Sequence, residues 1–187
     1  GGKAPSFSEI ADVEYFENPN YSDTHSLHSL FCAETAMENG FLLVYSDILF
    51  DEALVSRLSQ SGEDIVLLLD NSYRYHTHEV DKKLELVVSD RRYATNPRRL
   101  VAGSPVAITR IGKEVPQQVA DYEFVGLAYL SEKGAEIIRK VYWDALSKKP
   151  APFHEAASFE RASIVDIFQE VIDLGFPVLG MEVSTGW

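Results

Sequence analysis

The segment Gly40-Phe41-Leu42-Leu43-Val44-Tyr45-Ser46-Asp47-Ile48-Leu49-Phe50-Asp51 decides how the chain is read. Gly40 closes a helix, and an unbroken apolar run follows. Such a run predicts a strand buried on both faces of a parallel sheet. It stops at Ser46-Asp47, which sets a carboxylate at the strand's carboxyl end. Open α/β sheets bind ligands at that edge, and a carboxylate there suits a hard cation or a phosphate-bound metal. The same aspartate could simply cap the short helix that follows.

Working outward, Asp51 can cap a helix carrying Leu54, Val55 and Leu58. A second apolar run, Ile65-Val66-Leu67-Leu68-Leu69-Asp70, also ends in an aspartate. Two buried strands joined by a helix make a βαβ unit, right-handed by default. Asp47 and Asp70 then end neighbouring strands and could together bind Mg2+ or steer a nucleotide, although Asp70 could equally begin the turn at Asn71-Ser72. Upstream, residues 12–17 alternate polar and apolar and predict a short strand, and 18–23 form a turn. Thr24 or Ser26 can cap a helix running to about Asn39. The start of that helix, with His25 and Ser26, could receive an anion or serve as a cap alone.

Downstream, residues 71–122 are polar, with strand signals only at 84–88 and 106–111. This excursion from the sheet could fold over a ligand. Within it, His76-Thr77-His78 reads as half of a metal site or as an exposed loop. Arg91, Arg92, Arg98 and Arg99 suit a phosphate, solvated surface or the contact of a homodimer. Residues 124–130 return to a buried strand in which Gly126 marks the close approach of another backbone or a ligand. Ser131 caps a helix to about Leu146. His154-Glu155, in a proline-rich loop, reads as a substrate contact or as a plain connection. Ser163 and Asp166 have capping-box spacing ahead of an apolar stripe ended by Gly175 and Pro177, and a last strand occupies 178–183.

Composition bounds the partners. The 187 residues carry a formal net charge of −12, which argues against nucleic acid or an anionic membrane because no net positive field is available. A single cysteine, Cys32, excludes an internal disulfide framework and a cysteine-based zinc site. No apolar run approaches a membrane span and no signal peptide is evident, so the cytoplasm is the default expectation. P-loop, G-x-G-x-x-G and G-x-S-x-G patterns are absent.

Several motifs together carry a resemblance. These are Glu17-Asn18-Pro19-Asn20-Tyr21, then Thr24-His25-Ser26-Leu27-His28-Ser29-Leu30, Val44-Tyr45-Ser46-Asp47-Ile48-Leu49-Phe50 and Ile65-Val66-Leu67-Leu68-Leu69-Asp70, followed in order by 124–128 and 175–178. The chain resembles the sugar-phosphate nucleotidyltransferase-like family. The branch it is most similar to includes phosphocholine and 2-aminoethylphosphonate cytidylyltransferases, whose domains also occur fused to phosphoenolpyruvate phosphomutase. The resemblance implies an α/β fold: a Rossmann-like, three-layer nucleotidyltransferase fold with a mixed, mainly parallel central sheet. It implies an EC 2.7.7-type reaction in which an acceptor phosphate or phosphonate attacks the α-phosphorus of an NTP, CTP being favoured, with Mg2+ as cofactor. Carried over, Asp47 is the catalytic, metal-binding aspartate. Ser46 stands where many relatives have Gly, and His25 where Asn is common. Nucleotide or substrate contacts are expected from Ser26, Ser46, Asp70, Gly126, His154 and Glu155.

The family's N-terminal glycine-rich signature is missing, and its second metal aspartate would follow a tryptophan where this chain ends at Trp187. The expectation is one domain over 1–187, truncated at both ends and inactive as it stands. Two alternatives stay open: a non-catalytic nucleotide- or metabolite-binding domain, and a metal-dependent nucleotide-sugar glycosyltransferase. The latter needs a D-x-D pattern that Ser46-Asp47-Ile48-Leu49 does not supply.

Overall fold

The computed structural model describes residues 13–76, 83–90 and 105–187. Six strands form one sheet: β1 (Phe41–Val44), β2 (Ile65–Asp70), β3 (Leu86–Ser89), β4 (Val106–Gly112), β5 (Tyr122–Leu130) and β6 (Leu179–Val183). Four α-helices accompany them: α1 (Ser26–Phe31), α2 (Glu52–Ser59), α3 (Glu132–Lys148) and α4 (Ile164–Asp173). The strand order is β1-β5-β2-β6-β4-β3, and β3 also pairs with β5. Strands β5, β2, β6, β4 and β3 thereby close on themselves, with β1 attached outside the ring.

The sheet is mixed, as expected, but it is not mainly parallel. Among the described residues only β2 and β6 run parallel; every other pair is antiparallel. The cause is β5, which lies between β1 and β2 and opposes both. Asp47 and Asp70 thus follow strands that are parallel to each other but not adjacent.

Strand β2 meets the expectation of an all-apolar strand: every residue from Ile65 to Asp70 is buried. Strand β1 does not. Among the described residues it pairs with β5 alone, and of its four residues only Leu43 is buried, with Leu42 and Val44 exposed. Residues 13–17, expected as a strand, take no regular structure, and the first helix stops at Phe31, followed by a 3-10 turn at Glu34–Met37. Thr77, His78 and the arginines at 91, 92, 98 and 99 lie outside the described residues, as do Gly1-Gly2-Lys3.

Helices cover both faces. On one, Leu27 and Phe31 of α1, Ile138 and Val141 of α3, and Ile167 and Phe168 of α4 pack on Ile65, Leu67, Leu69, Phe124 and Ala128. On the other, Leu54 and Leu58 of α2 cover Val66, Leu68, Val125 and Leu127. Burying a side chain such as Leu58 or Phe168 contributes ~1.5–3 kcal/mol. The starts of α3 and α4 follow the expected chemistry, whereas α1 has His25 rather than Thr24 or Ser26 at its N-cap and Asp51 begins α2 without a side-chain capping bond. Ser131 Oγ accepts the N–H of Gly134, and Ser163 with Asp166 forms a capping box. Among the described residues, no helix is long and apolar enough to cross a membrane.

Candidate functional site

One edge of β5 is shared by two strands. Strand β1 takes residues 127–130 and β3 takes 122–123. Tyr45 N–H donates to the Gly126 carbonyl at 2.8 Å, and Phe124 N–H to the Glu85 carbonyl at 2.8 Å. The end of β1 and the approach to β3 therefore diverge around Val125. A cavity of about 200 Å3 opens in this fork, lined among others by Tyr45, Asp47, Glu85, Lys113, Glu123 and Trp187.

Asp47 stands in the exposed turn after β1, as its sequence position predicts, and faces this cavity. Ser46 shares the turn and is exposed. Gly126 has φ +85°, and a Cβ on it would come within 2.5 Å of the Tyr45 ring. Its missing side chain makes room for the Tyr45 side chain, where the sequence suggests another backbone or a ligand. Asp70 is fully buried at the end of β2. Its Oδ1 accepts the N–H and hydroxyl of Ser72 at 2.8 and 2.7 Å, and Oδ2 lies 3.9 Å from His76 Nε2. In register, Asp70 faces Glu123 across the β2–β5 pair, so two buried carboxylates adjoin. Like charges placed this way repel.

The remaining expected contacts sit elsewhere. Ser26 opens α1, and its Oγ accepts the N–H of Ile164 at 3.2 Å, tying α1 to the start of α4. His154 Nε2 bonds Glu170 Oε2 at 2.7 Å. The Glu155 carboxylate accepts the backbone N–H groups of Lys113 and Glu114 at 2.6 and 3.0 Å. None of these three residues lines the cavity in the fork.

Three residues that sequence reasoning passed over dominate the site. Tyr45 donates its hydroxyl to Glu85 Oε2 at 2.9 Å, and Lys113 Nζ lies 3.4 Å from Glu85 Oε1. Burial pushes the Glu85 carboxyl above its ordinary range, and Lys113 and the Tyr45 bond partly offset this. Burial, with the adjacent Glu85 charge, also raises the Tyr45 phenol. The site thus joins the buried acid Glu85, two ammonium groups (Lys113 beside Glu85, and the exposed Lys83) and the open Asp47. The usable signals were a lone glutamate between Leu84 and Leu86 and a lysine directly after Gly112, where β4 ends.

Among the described residues, no three His, Cys, Asp or Glu side chains gather in a preformed metal site. A metal that arrives with phosphates needs less. Mg2+ keeps waters and is commonly held by one or two carboxylates plus substrate oxygens. The open Asp47 carboxylate fits that requirement.

No protein-family model matches the chain, and no curated protein matches it. Solved structures do. The inositol-1-phosphate CTP transferase from T. maritima superposes with a TM-score of 0.57 at 18% identity, covering 89% of this chain and 54% of that one. The UDP-glucose pyrophosphorylase from Acinetobacter baumannii gives 0.53 at 17%, covering 86% and 49%, and a UTP-bound UGPase from the same organism gives 0.52 at 14%, with the same coverage. At such identities the likeness is one of fold. The chain spans about half the length of these structures.

Proposed function

We propose that the chain is part of a nucleotidyltransferase, using CTP by preference and a small phosphate or phosphonate ester as acceptor. The observation that carries this reading is the pairing of Asp47 and Lys113 on one cavity at the strand ends. The solved structures of like fold bear names of CTP- and UTP-using enzymes and support it. In the reaction, an acceptor oxygen forms a bond to the α-phosphorus while the α–β phosphoanhydride bond breaks and pyrophosphate leaves. Asp47 would hold Mg2+ carried in with the nucleotide, and the ion would neutralise phosphate charge as the α-phosphorus is attacked. Lys113 supplies a fixed positive charge for an anionic oxygen.

The other lining groups bear on the acceptor. Tyr45, Phe124 and Trp187 contribute aromatic walls, and Glu85 and Glu123 contribute carboxylates. Rings combined with acids favour a cationic head group over a neutral sugar. A phosphorylated or phosphonate amine is thus the acceptor class this reading selects.

Isothermal titration with CTP, with and without Mg2+, tests the reading. Because the glycine-rich segment expected of the resembling family is not in this sequence, the titration includes the full-length natural protein. Mg2+-dependent binding that Asp47→Ala abolishes is the expected result, with phosphoethanolamine preferred to glucose 1-phosphate in turnover. Binding without turnover would indicate a nucleotide-binding domain. No binding of any NTP would end the proposal.

A further inference from the structure

Glu155 lies outside the cavity, yet it is wired to Lys113, the cavity lysine that meets Glu85. Each carboxylate oxygen takes one of two successive backbone N–H groups, Lys113 to Oε2 and Glu114 to Oε1. Adjacent amides aimed at one anion form a nest, and charge-assisted bonds of this kind are strong. Gly112 completes the fit. A Cβ there would fall 2.1 Å from Glu155 Oε1, so the carboxylate occupies the space that a side chain at this position would take.

The loop carrying Glu155 is itself held. Its backbone N–H donates to Asp166 Oδ1 at 3.1 Å, and Asp166 is buried at the start of α4. His154, directly before it, has φ +49°, a left-handed conformation that an L-residue rarely adopts, and its ring is tied to Glu170. A continuous set of contacts therefore runs from α4 through Asp166 and Glu155 to the turn at Lys113, and from Lys113 to Glu85 and Tyr45.

We propose that Glu155 is a positioning residue: by clamping the turn at residues 112–114 it fixes the direction of the Lys113 side chain and so sets where the site presents its positive charge. It touches no substrate, and the proposal rests on the role given above to Lys113. Glu155 is exposed, so replacing it removes no core side chain.

Two measurements test this. The first needs no ligand: the side-chain carboxyl of Glu85 is titrated by NMR in Glu155→Ala, Lys113→Met and the double variant. Loss of the Lys113 contact raises the Glu85 titration point, whereas loss of the Glu155 charge alone lowers it. An upward shift in Glu155→Ala, in the direction seen in Lys113→Met and not enlarged in the double variant, is expected. An unchanged or lowered value overturns the proposal. The second measures affinity for inorganic phosphate. Glu155→Ala and Lys113→Met should each weaken it by on the order of tenfold, as for one charge-assisted contact, without adding in the double variant. Additive losses overturn the positioning role. Unaltered affinity in Lys113→Met overturns the phosphate role of Lys113 and leaves the titration to judge Glu155.

Discussion

Replacing Gly126 with alanine tests the geometry of the fork directly. Two costs are visible. The φ of +85° places an L-residue in the left-handed region, worth ~1–2 kcal/mol. The new Cβ would also lie 2.5 Å from Tyr45 Cγ and Cδ2 and 2.8 Å from its Cβ. Tyr45 cannot swing aside freely, because its hydroxyl is bonded to Glu85 and its ring meets Phe124 edge-on at 5.8 Å. Overpacking of this kind adds ~1–3 kcal/mol. The sum, roughly 2–5 kcal/mol, lowers Tm by roughly 5–15 °C in a chain of this size. Gly62 provides the control. Its φ is +77°, but a Cβ there meets nothing within 4 Å, so Gly62→Ala carries the backbone cost alone. Urea unfolding of both variants should place Gly126→Ala at least ~1 kcal/mol below Gly62→Ala, with Tyr45→Ala recovering part of that gap in the double variant. Equal losses in the two glycine variants would refute the packing argument.

Other expectations follow from the groups around the site. Burial raises the Glu85 carboxyl, so the folded chain keeps a proton that the unfolded chain has released. Stability from this group is present below the ordinary glutamate range and is lost as pH rises through the raised value. Urea unfolding across that window should show the decline, and Glu85→Gln should flatten it. Asp166 is 4% exposed and accepts from Ser163 N–H and Oγ, both at 2.6 Å, and from the Glu155 N–H. Asp166→Ala removes a cap and strands three donors, costing about 2–4 kcal/mol, whereas Asp166→Asn, which keeps a side-chain oxygen acceptor, should lose less in the same unfolding assay.

How much of this could be read in the sequence depends on how local each signal is. Helices α3 and α4 were legible because their start signals, Ser131 and the Ser163–Asp166 pair, lie within one turn of the stripes they introduce. Strand β2 was legible because a five-residue apolar run needs burial on both faces wherever it sits. The same reasoning misjudged β1, since an apolar run does not say how many neighbours a strand has. The antiparallel entry of β5 between β1 and β2 was hidden because it depends on pairing across more than fifty residues. Asp47 was visible as a strand-end carboxylate. Lys113, Glu85 and Tyr45 were not, being single residues without a shared motif that meet only when β5 parts its two neighbours. His154 and Glu155 drew attention as polar residues in a loop, and the structure gives them partners within the fold.

The side of β1 that no described residue pairs with has a consequence for the protein as a colloid. Its four residues include no charge and no proline, the devices that keep an edge strand from recruiting another chain, and Leu42 and Val44 are 39% and 44% exposed. A barrier between copies comes from the long-range repulsion of a molecule with a formal charge of −12. That protection has the range of the ionic atmosphere, about 10 Å at 0.1 M salt and about 3 Å at 1 M. Dispersed behaviour is accordingly a property of the solution as much as of the fold, and concentrated salt removes the charge barrier while leaving the apolar edge in place.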